Sequence, residues 1–182
     1  MTVEISPIEQ ALRTAVRDVE NHVAAAGWDQ PVSVYALVHT QQALRDNPGI
    51  AAELPPGTEA QLADNPQHLL SIEQEGLPQA ESLEELLAQL AWPPAVAGAA
   101  IVVERIVVPP EAEVDMPEEA TAAVEYLQAH PQRQDVRMVV GVLREGYSWC
   151  ALRSRSHDSS DQVAQSADAV PGLVAALRAT FE

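Results

Sequence analysis

The chain has 182 residues, a formal net charge of −17 and 47% hydrophobic residues, and all ten of its basic residues are arginine. The hydrophobic content is enough for a core, which excludes a disordered acidic tail. So large a negative charge repels phosphate backbones and anionic lipid headgroups, so we expect binding neither to nucleic acid nor to a membrane surface.

The first predicted element is a helix over residues 7–26. Ser6, Pro7 and Glu9 form a capping box with proline in the first turn. Gly27 follows as a stop signal. Apolar residues recur between these signals at spacings of three and four, as on one helix face: Ile8, Leu12, Val16, Val19, Val23 and Ala26.

Two strands are predicted next, over residues 31–38 and 69–75, with a short helix after the first. The region between them, residues 48–66, is interrupted by several prolines and by Gly57. These residues end regular structure, so the sequence predicts an irregular surface loop with one helical turn near residues 58–63.

The strongest strand pattern covers residues 98–108, where a continuous apolar run indicates burial on both faces for part of its length. A second capping box, Ser82 to Glu85, begins a short helix that ends before Trp92. A third helix is predicted to begin at Asp115 to Glu118 and to end at His130.

The last third of the chain predicts a hairpin and a closing helix. Strands over residues 136–143 and 147–153 are joined by a short loop that contains Gly146, which is typical of antiparallel pairing. After a polar stretch, residues 154–166, an amphipathic helix ends the chain.

The strands do not alternate strictly with helices. The sequence therefore predicts a single α+β domain over residues 1–182, with a mainly antiparallel sheet of about five strands, helices packed on it and the order α-β-β-α-β-α-β-β-α.

No motif for catalysis, metal binding or phosphate binding stands out. The five histidines form no helical pair, the eight glycines form no phosphate loop, and a chain without lysine lacks the P-loop amine. Cys150 lies between Trp149 and Ala151 on a predicted strand and is interpreted as a core residue. The sequence therefore predicts no catalytic residue, no cofactor and no metal, and favours a non-enzymatic protein.

Residues 157–161 offer His157, Asp158 and Asp161 within a short polar stretch. They lack the pattern of a calcium-binding loop, so a solvated loop is the preferred interpretation. A weak divalent-cation site is the alternative that the sequence leaves open.

Glu104 and Arg105 interrupt the most apolar strand, and adjacent strand residues face opposite sides of a sheet. Two interpretations stay open: the strand end emerges into solvent, or a buried charge pairs with Arg137. The second would build a polar site around Glu104, Arg105, Arg137 and Arg144.

Tyr147 and Trp149 share one face of the last predicted strand, with Arg153 further along it. We expect a terminal helix to cover them. If they are exposed, they would anchor a partner, since tyrosine, tryptophan and arginine dominate binding hot spots.

The N-terminal segment Met1 to Pro7 has neither the basic nor the apolar region of a signal peptide. The longest apolar run, residues 92–103, is too short and too broken by proline to span a bilayer. Cys150 is the only cysteine, which excludes an intrachain disulfide and suits a reducing compartment. Together these features predict a cytoplasmic protein.

Four stretches carry a resemblance to known proteins: residues 23–31, residues 99–105 with Pro109 and Pro110, residues 130–144 and residues 170–177. They resemble an uncharacterised family of small acidic actinobacterial cytoplasmic proteins, which implies no catalytic residue. The order of elements is also similar to that of type III secretion chaperones, with the helix near residues 82–91 as an insertion. That likeness implies a sheet and flanking helices that serve for dimerisation or protein binding.

We therefore expect a non-enzymatic, cytoplasmic protein-interaction or chaperone-like module with a protein partner or self-association. The alternative is a small-molecule-binding protein or an enzyme that uses the polar site around Glu104, Arg105, Arg137 and Arg144. A convergent cleft at those residues would favour the alternative.

Overall fold

The computed structural model describes residues 4–182, so the prediction about the N-terminal segment falls partly on Met1 to Val3, outside the described residues. The helices and strands within that range are α1 (Pro7–Ala25), β1 (Ser33–His39), α2 (Thr40–Asp46), α3 (Thr58–Asp64), β2 (Leu69–Glu73), α4 (Leu83–Ala88), β3 (Gly98–Val107), α5 (Pro110–Glu113), α6 (Ala120–Ala129), β4 (Gln134–Leu143), β5 (Ser148–Ser154), β6 (Ala164–Ser166) and α7 (Pro171–Ala179).

The six strands form one antiparallel sheet in the order β2-β1-β3-β4-β5-β6. The central pair, β3 and β4, is in register from Gly98 opposite Leu143 to Val107 opposite Gln134. β1 pairs with β3 only as far as Val102, so the second half of β3 pairs with a strand on one side alone. The predicted α+β class with a mainly antiparallel sheet is confirmed.

β6 is the strand that the sequence did not predict. It has three residues, none of them buried, within the polar stretch that follows β5. A strand without an apolar face gives no alternating pattern in the sequence. β6 is recognised in the structure by its pairing with Cys150, Ala151 and Leu152 of β5.

One face of the sheet is covered by α1, which begins as predicted. The Ser6 hydroxyl accepts a hydrogen bond from the Glu9 backbone N–H at 3.4 Å, and Pro7 opens the helix. The apolar stripe of α1 then packs on the inward residues of the strands. The buried members of this layer include Leu12, Val16, Val19, Tyr35, Leu37, Ala100, Val102 and Val139.

The opposite face is covered in part by α4 and α7. The Ser82 hydroxyl accepts from the Glu85 N–H at 3.1 Å, which confirms Ser82 as the N-cap of α4, while the Glu85 carboxylate accepts from the Glu81 N–H at 2.7 Å. Leu87 of α4 and Leu177 of α7 are buried over the sheet. They cover one group of strand residues: Val34, Ala99, Ile101, Val140, Val142 and Cys150.

The region predicted as an irregular loop, residues 48–66, is more helical than expected. It holds a 3-10 helix, Pro48–Glu53, and α3. Pro48 stands at the first helical position, where its missing N–H removes no hydrogen bond. Gly57, with φ of 88°, turns the chain into α3. The helical turn predicted near residues 58–63 is present as α3, and the segment lies mostly at the surface as predicted. Only the 3-10 helix departs from the predicted irregular structure.

The third predicted cap is also wrong in position. α6 begins at Ala120 and is capped by Glu119, whose carboxylate accepts from the Thr121 N–H at 3.0 Å and the Ala122 N–H at 2.8 Å. These two backbone hydrogen bonds lower the pKa of Glu119. The end of α6 before His130 agrees with the prediction.

Gly141 lies where α1 and β4 approach closely. A Cβ on this residue would come within 2.6 Å of Val16 Cγ2 and 3.1 Å of Leu12 Cδ1. We expect Gly141→Ala to lower the free energy of unfolding by about 1 to 3 kcal/mol, because it overpacks a close-packed layer. Urea unfolding measures the change. The matched control is Gly172→Ala in α7, where nothing lies within 4 Å; an equal loss in both variants would contradict the packing argument.

His68 lies buried before β2, with its Nδ1 2.7 Å from the Thr40 hydroxyl. Burial lowers the pKa of His68 below its ordinary value of 6.5. The folded protein therefore disfavours the charged imidazole, whereas the unfolded chain takes up the proton.

We expect the His68 contribution to stability to be present above pH 6.5 and to be lost as the pH falls through the lowered pKa of the folded state. His68→Gln should flatten this part of the stability curve, measured by urea unfolding at neutral and mildly acidic pH. The neighbouring exposed Gln67 provides the control, since Gln67→Ala removes no titratable group and should leave the slope unchanged. Parallel curves for wild type and His68→Gln would contradict the expectation.

Candidate functional site

The four charged residues predicted to form a polar site lie in three places. Glu104 and Arg137 are cross-strand neighbours on the α1 face of the sheet. Arg105 lies on the opposite face and is exposed. Arg144 lies just beyond the other end of β4, so the structure brings together only the first two.

Arg144 joins the loop before β3 to the C-terminal helix. Its Nε donates to the Val96 carbonyl at 2.7 Å, and its guanidinium lies 4.7 Å from the centre of the Phe181 ring. Phe181 in turn stacks on Trp92 at 5.8 Å. These contacts assign Arg144 a role in holding the C-terminus.

Tyr147 and Trp149 are half-buried and pack beside α1, the N-terminal helix. The guanidinium of Arg13 in α1 lies 4.0 Å from the centre of a Trp149 ring, and Trp149 Nε1 donates to Gln165 at 3.1 Å. The two aromatic residues therefore help to hold α1 on β5.

A buried ionic cluster lies between α1 and the sheet, formed by Glu20, Arg137 and Arg153. Their exposed fractions are 2%, 1% and 3%. Arg153 Nε donates to both Glu20 carboxylate oxygens at 3.1 and 3.0 Å, and its NH2 donates to Oε1 at 2.5 Å. These hydrogen bonds raise the pKa of Arg153, which therefore stays charged although it is buried.

Arg137 lies beside this pair but forms no hydrogen bond with a carboxylate. Its NH1 is 4.0 Å from Glu20 Oε2, and its NH2 donates to the Gly27 carbonyl at 2.5 Å. The Trp28 ring covers the guanidinium with its centre 4.3 Å away. Arg137 is thus held by a carbonyl dipole and a cation–π contact.

The loop of residues 27–30, which we call the Trp28 loop, is tied to the sheet by charged side chains. The Glu104 carboxylate accepts from the Asp29 N–H at 2.9 Å and the Gln30 N–H at 2.8 Å. The two Asp29 carboxylate oxygens each accept from Arg155 at 3.0 Å. The hydrogen bond from Arg155 lowers the pKa of Asp29.

Asp158 joins the Trp28 loop to the buried cluster. It accepts from Trp28 Nε1 at 3.0 Å and from Arg153 NH1 at 3.0 Å. The Trp28 hydrogen bond, followed by the Arg153 one, lowers the pKa of Asp158. The stretch considered for a cation site therefore contributes one of its carboxylates to the ionic network.

No group of three histidine, cysteine or acidic side chains suited to a metal is found in residues 4–182. Cys150 is fully buried, and burial raises the pKa of its thiol. A thiol that resists ionisation in this way is a poor nucleophile, which supports its interpretation as a core residue.

Sequence reasoning missed Glu20 and Trp28. Glu20 lies four residues after Val16 on the apolar stripe of α1, so its position on a buried helix face was visible in the spacing. Trp28 gave no such signal, because a tryptophan in a loop shows nothing about what it covers.

A second surface lies on the other face of the sheet, beyond the half that α4 and α7 cover. Five apolar side chains from four adjacent strands line a shallow depression of about 650 Å³ there: Val107, Val136, Met138, Leu152 and Ala164. We call this group the apolar sheet surface. Val107 is 41% exposed.

Arg105 borders the apolar sheet surface, as the cross-strand partner of Val136. It forms no ion pair and no side-chain hydrogen bond with any described residue. A wider groove of about 820 Å³ adjoins it, between β3 and the segment of residues 77–86.

Within residues 4–182, no helix is long and apolar enough to cross a membrane.

The buried ion pair yields a prediction about stability. Glu20→Gln removes the charge that compensates Arg153, and we expect it to lower the free energy of unfolding by about 3 to 5 kcal/mol. Urea unfolding provides the measurement. Replacing both partners, Glu20→Leu with Arg153→Met, should recover much of the loss, since neither charge is then buried alone.

The matched control is Asp29→Asn, which breaks the exposed pair with Arg155. Exposed pairs are screened by water and salt, so its cost should be far smaller. Equal losses for Glu20→Gln and Asp29→Asn would contradict a special role for the buried pair.

Comparisons with known proteins give one match. Neither the curated proteins nor the solved structures contain a significant match to the chain. The family model described as PPA1309-like protein matches residues 12–182, which include all six strands, the ionic cluster and the apolar sheet surface. The chain therefore belongs to the PPA1309-like protein family.

Proposed function

We propose that this protein is a non-enzymatic interaction module that binds a partner polypeptide on the apolar sheet surface. The observation that carries the proposal is the row of five apolar side chains across β3, β4, β5 and β6. None of them belongs to the apolar cluster that α4 and α7 form with the sheet.

The two halves of this sheet face differ in burial. Under α7, the side chains of Val140, Val142 and Cys150 are fully buried. Further along the same strands, Met138 and Leu152 are only half-buried and Val107 is exposed. An apolar face that continues from a helix-covered region into an uncovered one is typical of a binding surface.

Arg105 indicates which kind of partner fits. It is an exposed cation beside an apolar surface, and arginine is enriched among the residues that dominate binding energy. A partner segment with apolar side chains and one carboxylate would match both features. Two copies of this chain would each bring a charge of −17, which opposes self-association.

A cytoplasmic location is part of the proposal. Cys150 is free and buried, which suits a reducing compartment. The chaperone-like character and the actinobacterial origin that the sequence suggested stay predictions.

Selection from a random peptide library against the wild-type protein tests the proposal. We expect the selected peptides to combine apolar residues with an aspartate or glutamate. Met138→Glu places a charge in the surface and should weaken the binding of a selected peptide about tenfold or more, measured by fluorescence anisotropy. Arg105→Glu should weaken it similarly, and its exposed position makes a folding defect easy to avoid.

The control is Ile72→Glu, because Ile72 is an apolar strand residue with 44% exposure on β2, at the far edge of the sheet. It should leave peptide binding unchanged. Selected peptides that bind Met138→Glu and Arg105→Glu as tightly as wild type would overturn the proposal. So would a wild-type dimer in sedimentation equilibrium that Met138→Glu dissociates, because a second copy would then occupy the surface.

A further inference from the structure

The buried side-chain atoms that lack a hydrogen-bond partner gather at one place. Among the described residues these atoms are Asp135 Oδ1, Arg137 Nε and Arg137 NH1. Asp135 and Arg137 lie two residues apart on β4, so they share the α1 face of the sheet. Buried polar groups are nearly always paired, and this grouping points to a ligand that supplies both acceptors and a donor.

The charges around Arg137 indicate the sign of that ligand. Glu20 is bound by Arg153, and Asp29 is bound by Arg155. Asp135 Oδ2 also accepts from Arg155 at 3.3 Å, and its Oδ1 lies 3.6 Å from Arg133 Nε, too far for a hydrogen bond. Glu104 is occupied by two backbone N–H groups. Arg137 is the buried cation of this network that no carboxylate reaches within hydrogen-bond distance. Glu20 Oε2 lies at ion-pair distance from Arg137 but accepts no hydrogen bond from it, and Arg153 already binds that carboxylate. Buried N–H donors without an acceptor are costly, so an anionic group that accepts from Arg137 Nε and NH1 would stabilise it.

The Trp28 ring occupies the space over the Arg137 guanidinium. It is flanked by two residues with left-handed backbone, Gly27 with φ of 88° and Asp29 with φ of 65°. Positive φ is unfavourable for a residue with a side chain and occurs often at functional sites.

Apart from the hydrogen bond from Arg137 to the Gly27 carbonyl, the bonds that hold the Trp28 loop lie at the surface. They are the hydrogen bonds from Trp28 Nε1 to Asp158, from Arg155 to Asp29, and from two backbone N–H groups to Glu104. Trp28 is itself only half-buried and belongs to neither core layer. The ring can therefore move outward without unpacking the core.

We propose that Trp28 is a movable lid over an anion site anchored by Arg137. The ligand is a small oxyanion that also carries a hydrogen-bond donor, such as a hydroxy acid or a monohydrogen phosphate group. Its anionic oxygens accept from Arg137, and its donor bonds to Asp135 Oδ1. A plain carboxylate would face the Asp135 charge with no hydrogen between them, and it binds more weakly for that reason.

Titration of the wild-type protein, followed by NMR of the indole N–H groups, tests the proposal. The chain has three tryptophans, and Trp28→Phe identifies the resonance of Trp28. At constant ionic strength, inorganic phosphate or lactate should shift this resonance saturably, since the ligand breaks the bond between Trp28 Nε1 and Asp158. Acetate should bind about tenfold more weakly than lactate.

Three variants separate the parts of the site, with affinities measured by calorimetry. Arg137→Met should abolish the saturable binding, whereas the exposed Arg45→Met should leave it unchanged. Asp135→Asn should remove the preference for lactate over acetate. Trp28→Ala changes a half-buried loop residue and leaves the buried cluster intact. It should tighten lactate binding, because the ligand no longer has to displace the ring.

Several results would overturn the inference. One is a Trp28 resonance that responds to phosphate no more than to chloride. Another is unchanged lactate affinity in a folded Arg137→Met variant. If that variant does not fold, two other results would overturn the inference. One is a Trp28→Ala variant that binds lactate more weakly than wild type. The other is a wild-type protein that binds acetate as tightly as lactate.

Discussion

The ion pair between Glu20 and Arg153 is the contact that joins the end of α1 to the sheet beside the Trp28 loop. It fixes the second half of α1 over β4 and β5, and the chain leaves the helix directly above Arg137. Buried ion pairs add little net stability, because desolvation offsets the attraction, but a lost partner is costly. The pair therefore determines where α1 lies, and the position of Trp28 follows from it.

The two faces of the sheet differ in what covers the strand residues beyond the apolar core. On the α1 face, the helix continues past the apolar layer and covers charged residues: Glu20, Arg137 and Arg153. On the other face, α7 ends and leaves apolar strand residues in contact with water. Glu104 and Arg105 are adjacent in the chain and belong to these two different environments: Glu104 holds the Trp28 loop, and Arg105 borders the apolar sheet surface.

The sequence predicts what depends on neighbouring residues. The capping boxes at Ser6 and Ser82 and the apolar strand β3 act locally, and the structure has each of them. The candidate site depends on residues far apart in the chain: Glu20 and Arg153 are separated by 133 positions. Spacing can show that Glu20 lies on a buried stripe, but it cannot show which strand residue faces it. Only the sheet register and the position of α1 provide that partner.

The half-paired central strand has a consequence for the protein in solution. Beyond Val102, one side of β3 has no strand partner, and an open strand edge can add strands from other molecules. Residues 29–32 lead into β1 at this point, and Glu104 binds the first two of their backbone N–H groups. The Glu104 carboxylate holds these residues alongside the open edge, and covering an edge with a loop is one of the ways in which folded proteins avoid pairing with other chains.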